Sequence, residues 1–138
     1  MVLQLLKNTL LSLKMGSCPK KYKERAFEFD FECKFSEEES DTFVLIFYLT
    51  IINPDKFKVD IEYASFFQAS ESINEDFIKS PFPIINAPAI AFPYLRCLLS
   101  NFTLNAGFEP VILPSINFVE FAEEKKKRGD EAISGSKS

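Results

Sequence analysis

The sequence predicts an α+β fold, a four-stranded antiparallel sheet followed by a long helix and a short C-terminal helix. Three observations predict it. Residues Phe27 to Phe35 alternate strictly between apolar and charged side chains. Two further β-rich runs follow across short polar turns. After Ala69 the alternation stops, and helix-start and helix-stop chemistry appears at Asn86 and Gly107.

The first strand is expected from about Val2 to Lys14, where Leu3, Leu5, Leu6, Leu10, Leu11 and Leu13 cluster. The same residues resemble the apolar part of a signal peptide, and Met15-Gly16-Ser17-Cys18 resembles a lipoprotein cleavage site. No basic stretch precedes the run and Lys7-Asn8 interrupts it, so a strand of a cytoplasmic protein is expected instead. No window is expected to reach the roughly 18 apolar residues that a membrane-spanning helix requires.

In the second strand Phe27, Phe29, Phe31, Cys33 and Phe35 fall on one face and Glu28, Asp30, Glu32 and Lys34 on the other. A helix would scatter these phenylalanines around its circumference. Ser36 to Asp41 forms an exposed turn. Thr42 to Ile52 is rich in β-branched and aromatic residues and suits a central strand covered on both faces. Asn53-Pro54-Asp55 makes the next turn. Phe57, Val59, Ile61 and Tyr63 then alternate with Lys58, Asp60 and Glu62, giving a fourth strand and a meander of antiparallel neighbours, with Phe66-Phe67 after it.

From Ala69 to Asn86 no period is visible, and a crossover loop carrying Phe77 and Phe82 is expected. Asn86 can cap a helix and Pro88 is tolerated in its first turn. That helix should reach about Ala106 and end on Gly107, with Pro93 either kinking it or delaying its regular part until after Phe92. Phe108 to Ser115 holds two prolines and should be irregular. A short helix from Ile116 to about Lys127 completes residues 1–128 as a single domain, leaving 129–138 as a flexible polar tail.

Composition narrows the function. The chain has 138 residues, 46% apolar and 26% charged, with a formal net charge of −4, which disfavours general nucleic-acid binding. The basic run Lys125 to Arg128 is flanked by acids and is expected to be a solvated helix end. Sixteen phenylalanines must either all fill the core or, because so small a core has limited volume, leave some as contact surface for a partner. Cys18, Cys33 and Cys97 are odd in number and widely spaced, as in a reducing compartment.

Catalysis is not expected. There is no histidine, the commonest general base and metal ligand, and no glycine-rich phosphate loop among four glycines. Cys97 lies among Leu95, Leu98 and Leu99 and is expected to be a buried, inert thiol. No metal site and no cofactor are expected. Glu28, Asp30 and Glu32 share one strand face, and Asp60 and Glu62 the matching face of another strand. They form either a solubilising surface or an acidic face that docks a basic or metal-bearing partner.

The run Asn86-Ala87-Pro88-Ala89-Ile90-Ala91-Phe92-Pro93-Tyr94-Leu95-Arg96, followed by Ser100 and Asn101, resembles the signature that opens the long helix in the SecB family of protein-export chaperones. Phe108-Glu109-Pro110, Leu113-Pro114 and Ile116-Asn117-Phe118 resemble the family's downstream segment at matching spacing. The resemblance implies four antiparallel strands and two helices, assembled as a homotetramer (a dimer of dimers) with Tyr94, Arg96, Ser100 and Asn101 near its helix interface. It implies an ATP-independent holdase that binds unfolded polypeptides, such as preproteins for export, in apolar grooves, here at Phe66, Phe67, Phe77, Phe82, Phe118 and Phe121. Asp60 matches an acid that the export chaperones carry in the fourth strand, which implies the SecA translocation motor as a partner of the acidic face that also bears Glu28, Asp30, Glu32 and Glu62. This chain departs from the pattern at Leu10 and Lys14, where the export chaperones carry acids. A dedicated chaperone for one partner, such as an antitoxin, is the alternative that the same resemblance implies.

Overall fold

The computed structural model describes residues 1–38 and 41–136. The chain divides into two units, Met1–Asp76 and Phe77–Ser138. The first holds the strands β1 (Leu3–Gly16), β2 (Ala26–Phe35), β3 (Thr42–Asn53) and β4 (Phe57–Ala69). All pair antiparallel, in the order β1-β4-β3-β2.

That order corrects the expected meander. β2, β3 and β4 follow one another through hairpins, but β1 pairs with β4 rather than with β2. The nine residues 17–25 between β1 and β2 leave room for it. A tight hairpin uses about two to five residues, whereas a longer connection can pass the ends of the intervening strands.

Parity does the rest. Phe29, Phe31, Phe47, Leu49, Ile61 and Tyr63 lie on one face through direct cross-strand pairing. Leu45, Phe47, Phe57, Val59, Ile61 and Phe67 on that face are fully buried, and each such side chain contributes about 1.5–3 kcal/mol. β1 keeps its leucines on this face by two register shifts, at Leu6 and at Leu11. Each bulge resets the alternation, so Leu3 and Leu5, then Leu10, then Leu13 and Met15 fall on the phenylalanine face. Leu6 and Leu11 stand exposed on the edge strand.

β4 also runs further than expected and contains both Phe66 and Phe67. Ser65 hides the continuity because it is polar on an apolar face. Its hydroxyl is satisfied by Asn8 Oδ1 at 2.7 Å, across the pairing with β1. The turn after β3 is as expected: Asp55 adopts φ 63° and Lys56 N–H donates to Asn53 O at 3.1 Å. The turn expected at Ser36 to Asp41 lies partly outside the described residues.

The segment expected to be a structureless crossover contains α1 (Glu75–Lys79) and a π-helical turn, Phe82–Asn86, that runs directly into α2 (Ala87–Asn105). Asn86 therefore caps nothing. It is itself helical (φ −71°, ψ −47°), and Ala87 N–H reaches back to Phe82 O. Pro88 sits in the first turn as expected, and α2 continues through Pro93. Phe82–Asn105 thus forms 24 helical residues, long and apolar enough to cross a membrane by length and composition. The prolines conceal this continuity in the sequence. Within this helical run Ala91, Leu95 and Leu99 are fully buried, while Ile90, Tyr94 and Leu104 are exposed.

α2 ends as predicted. Gly107 has φ 97°, its N–H donates to Leu104 O at 3.1 Å, and Phe108 N–H donates to Thr103 O at 3.0 Å, the bond pattern of a left-handed C-terminal cap. α3 (Phe118–Ser136) is longer than the expected short helix and includes most of the expected tail. Its Glu, Lys, Arg and Ala residues favour helix, and Gly129 costs only about 1 kcal/mol against that preference. Residues 137 and 138 lie outside the described residues. The true N-cap is Asn117, whose Oδ1 accepts the N–H groups of Val119 at 3.0 Å and Glu120 at 3.2 Å.

Candidate functional site

The second face of the sheet carries the expected acids. Cross-strand pairing arranges it in rows perpendicular to the strands. One row is Asp30, Tyr48, Glu62 and Ser12, and the next is Glu28, Thr50, Asp60 and Lys14. All five predicted acids therefore share one face, held apart by the two hydroxyl residues of β3. Tyr48 donates its phenolic proton to Glu32 Oε1, and Thr50 Oγ1 donates to Asp60 Oδ1 at 2.7 Å. The hydrogen bond to Glu32, with burial and the charges of Glu32, Glu62 and Asp30, pushes the Tyr48 phenol up to about 12.

Two cations border these rows. Lys58 Nζ lies 3.7 Å from Asp60 Oδ2, and Lys14 is the direct β1 partner of Asp60. Lys14 helps line a shallow recess of about 270 Å³ with Tyr48, Thr50, Asp60 and Glu62. Leu10, the other departure from the expected pattern, pairs with Tyr63 on the phenylalanine face instead. Among the described residues, no group of three or more His, Cys, Asp or Glu is placed to hold a metal ion.

At the opposite end of the same face the chemistry changes. Lys34, Val44, Phe66 and Lys7 form one row across all four strands. They line a recess of about 350 Å³, with Leu6 and Thr42 in its wall. Lys7 Nζ stands 4.8 Å from the centre of the Phe66 ring. Sequence reasoning found Phe66 but missed Lys7 and Lys34. Lys7 registered only as an interruption of an apolar run, because the bulge at Leu6 decides its face.

The six phenylalanines proposed as groove residues separate into different settings. Phe66 and Phe67 point to opposite faces of the sheet. Phe67 is 0% exposed and stacks on Phe43 at 5.3 Å, while Phe66 is half-buried. In the helical unit Phe77 and Phe82 stack at 5.9 Å, and Phe118 contacts Phe92 at 5.6 Å and Phe121 at 6.3 Å, both edge-on. Phe77 and Phe118 are buried, whereas Phe82 and Phe121 are half-buried.

On α2 the residues Ile90, Tyr94, Cys97, Asn101 and Leu104 recur at spacings of four and three and are all exposed, Tyr94 at 50% and Leu104 at 55%. Cys97 is thus not the buried thiol the leucine-rich context suggests. Helical phase turns it outward while Leu95 and Leu99 turn in. Asn101 Nδ2 donates to Cys97 Sγ at 3.4 Å. Of the residues expected near a helix interface, Tyr94 and Asn101 lie on this stripe and Arg96 and Ser100 do not. Ser100 Oγ donates to Val111 O at 2.8 Å, and Arg96 Nε is buried with no hydrogen-bond partner among the described residues.

Residues 7–128 match the family model for SecB, described as preprotein translocase subunit SecB. An uncharacterized protein of Methanocaldococcus jannaschii is 34% identical over 93 residues, 64% of this chain and 59% of that one. A protein-export protein SecB of Afipia carboxidovorans is 31% identical over 81 residues, 59% of this chain and 49% of that one. The matched stretches thus span about half the length of these curated relatives. Among solved structures, a SecB-like chaperone of Mycobacterium tuberculosis, in complex with a ChAD peptide from an antitoxin, shares the fold. Its TM-score is 0.61 at 17% identity, covering 83% of this chain and 87% of that chain. With the family match spanning most of its length and the SecB-like fold on the page, this chain belongs to the SecB family.

Proposed function

We propose that this chain is an ATP-independent holdase chaperone of the cytoplasm, which binds unfolded polypeptides and keeps preproteins competent for translocation. One observation carries the proposal: Phe66 forms part of the lining of an open, largely apolar recess on the sheet of a SecB-family chain. Within the helical unit, half-buried Phe82 and Phe121, backed by Phe77 and Phe118, offer a separate apolar client surface, and Phe67 belongs to the lining of the sheet recess. The exposed α2 stripe of Ile90, Tyr94, Cys97, Asn101 and Leu104 suits self-association, and a homotetramer would cover it. Glu28, Asp30, Glu32, Asp60 and Glu62 supply an acidic face for a basic partner such as the SecA motor. Lys14, opposite Asp60, weakens that field at one edge. No catalysis is assigned to the chain.

The test is light scattering of a denatured client diluted into buffer without nucleotide, with the mass of this protein in solution measured alongside. Suppression of aggregation near one tetramer per client supports the proposal. A folded assembly that suppresses nothing overturns it, and tight binding of one peptide alone would instead support a dedicated chaperone of the antitoxin-binding kind.

A further inference from the structure

The row Lys34–Val44–Phe66–Lys7 differs from every other row on its face: it has a cation at each end and only apolar side chains between. Lys34 Nζ lies 3.8 Å from Glu32 Oε1, with both side chains largely exposed. Such a pair has little net worth in water, and an incoming carboxylate can replace it.

We propose that this recess takes an extended polypeptide segment bearing two acidic residues four positions apart, with an apolar residue midway. The inference deepens the holdase reading and rests on it. Adjacent strands lie about 4.8 Å apart, so the three gaps from β2 to β1 separate the backbones of Lys34 and Lys7 by roughly 14 Å. An extended chain advances about 3.4 Å per residue, so its residues i and i+4 are also roughly 14 Å apart, and i, i+2 and i+4 point the same way. A segment lying across the strands therefore sets its central apolar side chain on Phe66 and Val44 while its two carboxylates meet the lysines. The acidic rows further along the face repel the same segment and confine it to this end.

The experiment is fluorescence anisotropy of labelled nine-residue peptides with the full chain at low salt. The peptides carry Glu-x-Ile-x-Glu, Lys-x-Ile-x-Lys or Glu-x-Ser-x-Glu at their centre. The first should bind about tenfold more tightly than either of the others, with the charge preference fading as salt rises. The double variant Lys7→Glu, Lys34→Glu changes two exposed side chains and should exchange the ranking of the acidic and basic peptides. Phe66→Ala should weaken both. Equal affinities for the acidic and basic peptides, or an unchanged ranking in the double variant, overturn the proposal. Aggregation suppression measured on the same variants separates the two claims. Suppression without any charge ranking overturns the recess inference alone, and a charge ranking without suppression supports the recess while overturning the holdase reading.

Discussion

Thr103 Oγ1 accepts the backbone N–H of Val111 at 2.9 Å. One turn away on α2, Ser100 Oγ donates to the carbonyl of the same residue at 2.8 Å. Val111 belongs to a proline-flanked segment between α2 and α3 with no ladder of its own, so two helix hydroxyls do for its backbone what a neighbouring strand would otherwise do. Thr103 is 0% exposed and also donates to Leu99 O at 2.9 Å.

Replacing Thr103 by Val keeps the shape and removes the acceptor, leaving the Val111 N–H without it. The expected loss is about 1–3 kcal/mol, read as a lower urea midpoint at unchanged slope. Ser100→Ala should cost less, and the double variant less than the sum, because both hydroxyls hold one residue. Additive losses would show that they act independently.

Adjacent phenylalanines should behave oppositely. Phe67→Ala opens a cavity beneath the stacked Phe43 ring and is expected to cost about 3–5 kcal/mol. Phe66→Ala, on the other face, should leave the thermal midpoint much closer to that of the parent chain while weakening peptide binding. Equal destabilisation by the two would place Phe66 in the core and remove it from the proposed site.

Of the four tyrosines, Tyr48 should ionise near pH 12 rather than at the ordinary 10.0. Because its pKa is raised in the folded state, its contribution to stability is complete below pH 10 and is lost as pH rises through about 12. Ultraviolet titration of phenolate should contain a late component that is lost in Tyr48→Phe. In Glu32→Gln it should titrate earlier, since the hydrogen bond to Glu32 is the largest cause. A late tyrosine unaffected by either substitution would assign the shift elsewhere.

Asn117→Ala should cost about 1 kcal/mol through loss of the cap on Val119 and Glu120, with a matching drop in helical circular dichroism on heating. Asn117→Asp should retain most of the stability, since aspartate offers the same acceptor beside the positive end of the helix. Equal loss in both variants would mean that the amide group, not the acceptor oxygen, matters.

Much of this fold is legible in the residues one at a time. The alternation from Phe27 to Phe35 assigns a strand and its two faces, because side chains in a strand project with a period of two. The same parity puts Glu28, Asp30, Glu32, Asp60 and Glu62 on one surface once β2, β3 and β4 are joined by short turns. Gly107 marks the end of α2 because a left-handed residue is needed there. Asn86 misleads for a local reason: the π-helical turn before it already supplies the carbonyl that a cap would replace.

The strands, the long helix and the segregation of acids from phenylalanines are therefore local properties, set by neighbours a few positions apart. Long-range pairing, by contrast, selected the edge that β1 joins, since a nine-residue connection permits either. Three-dimensional packing decided that Phe66 and Phe67 face opposite ways in one strand, that Cys97 points outward, and that Thr103 and Ser100 hold Val111. It also brought Lys7 level with Phe66, Val44 and Lys34. That row draws one residue from each of four strands, so its chemistry exists only once pairing and the bulge at Leu6 have set the register.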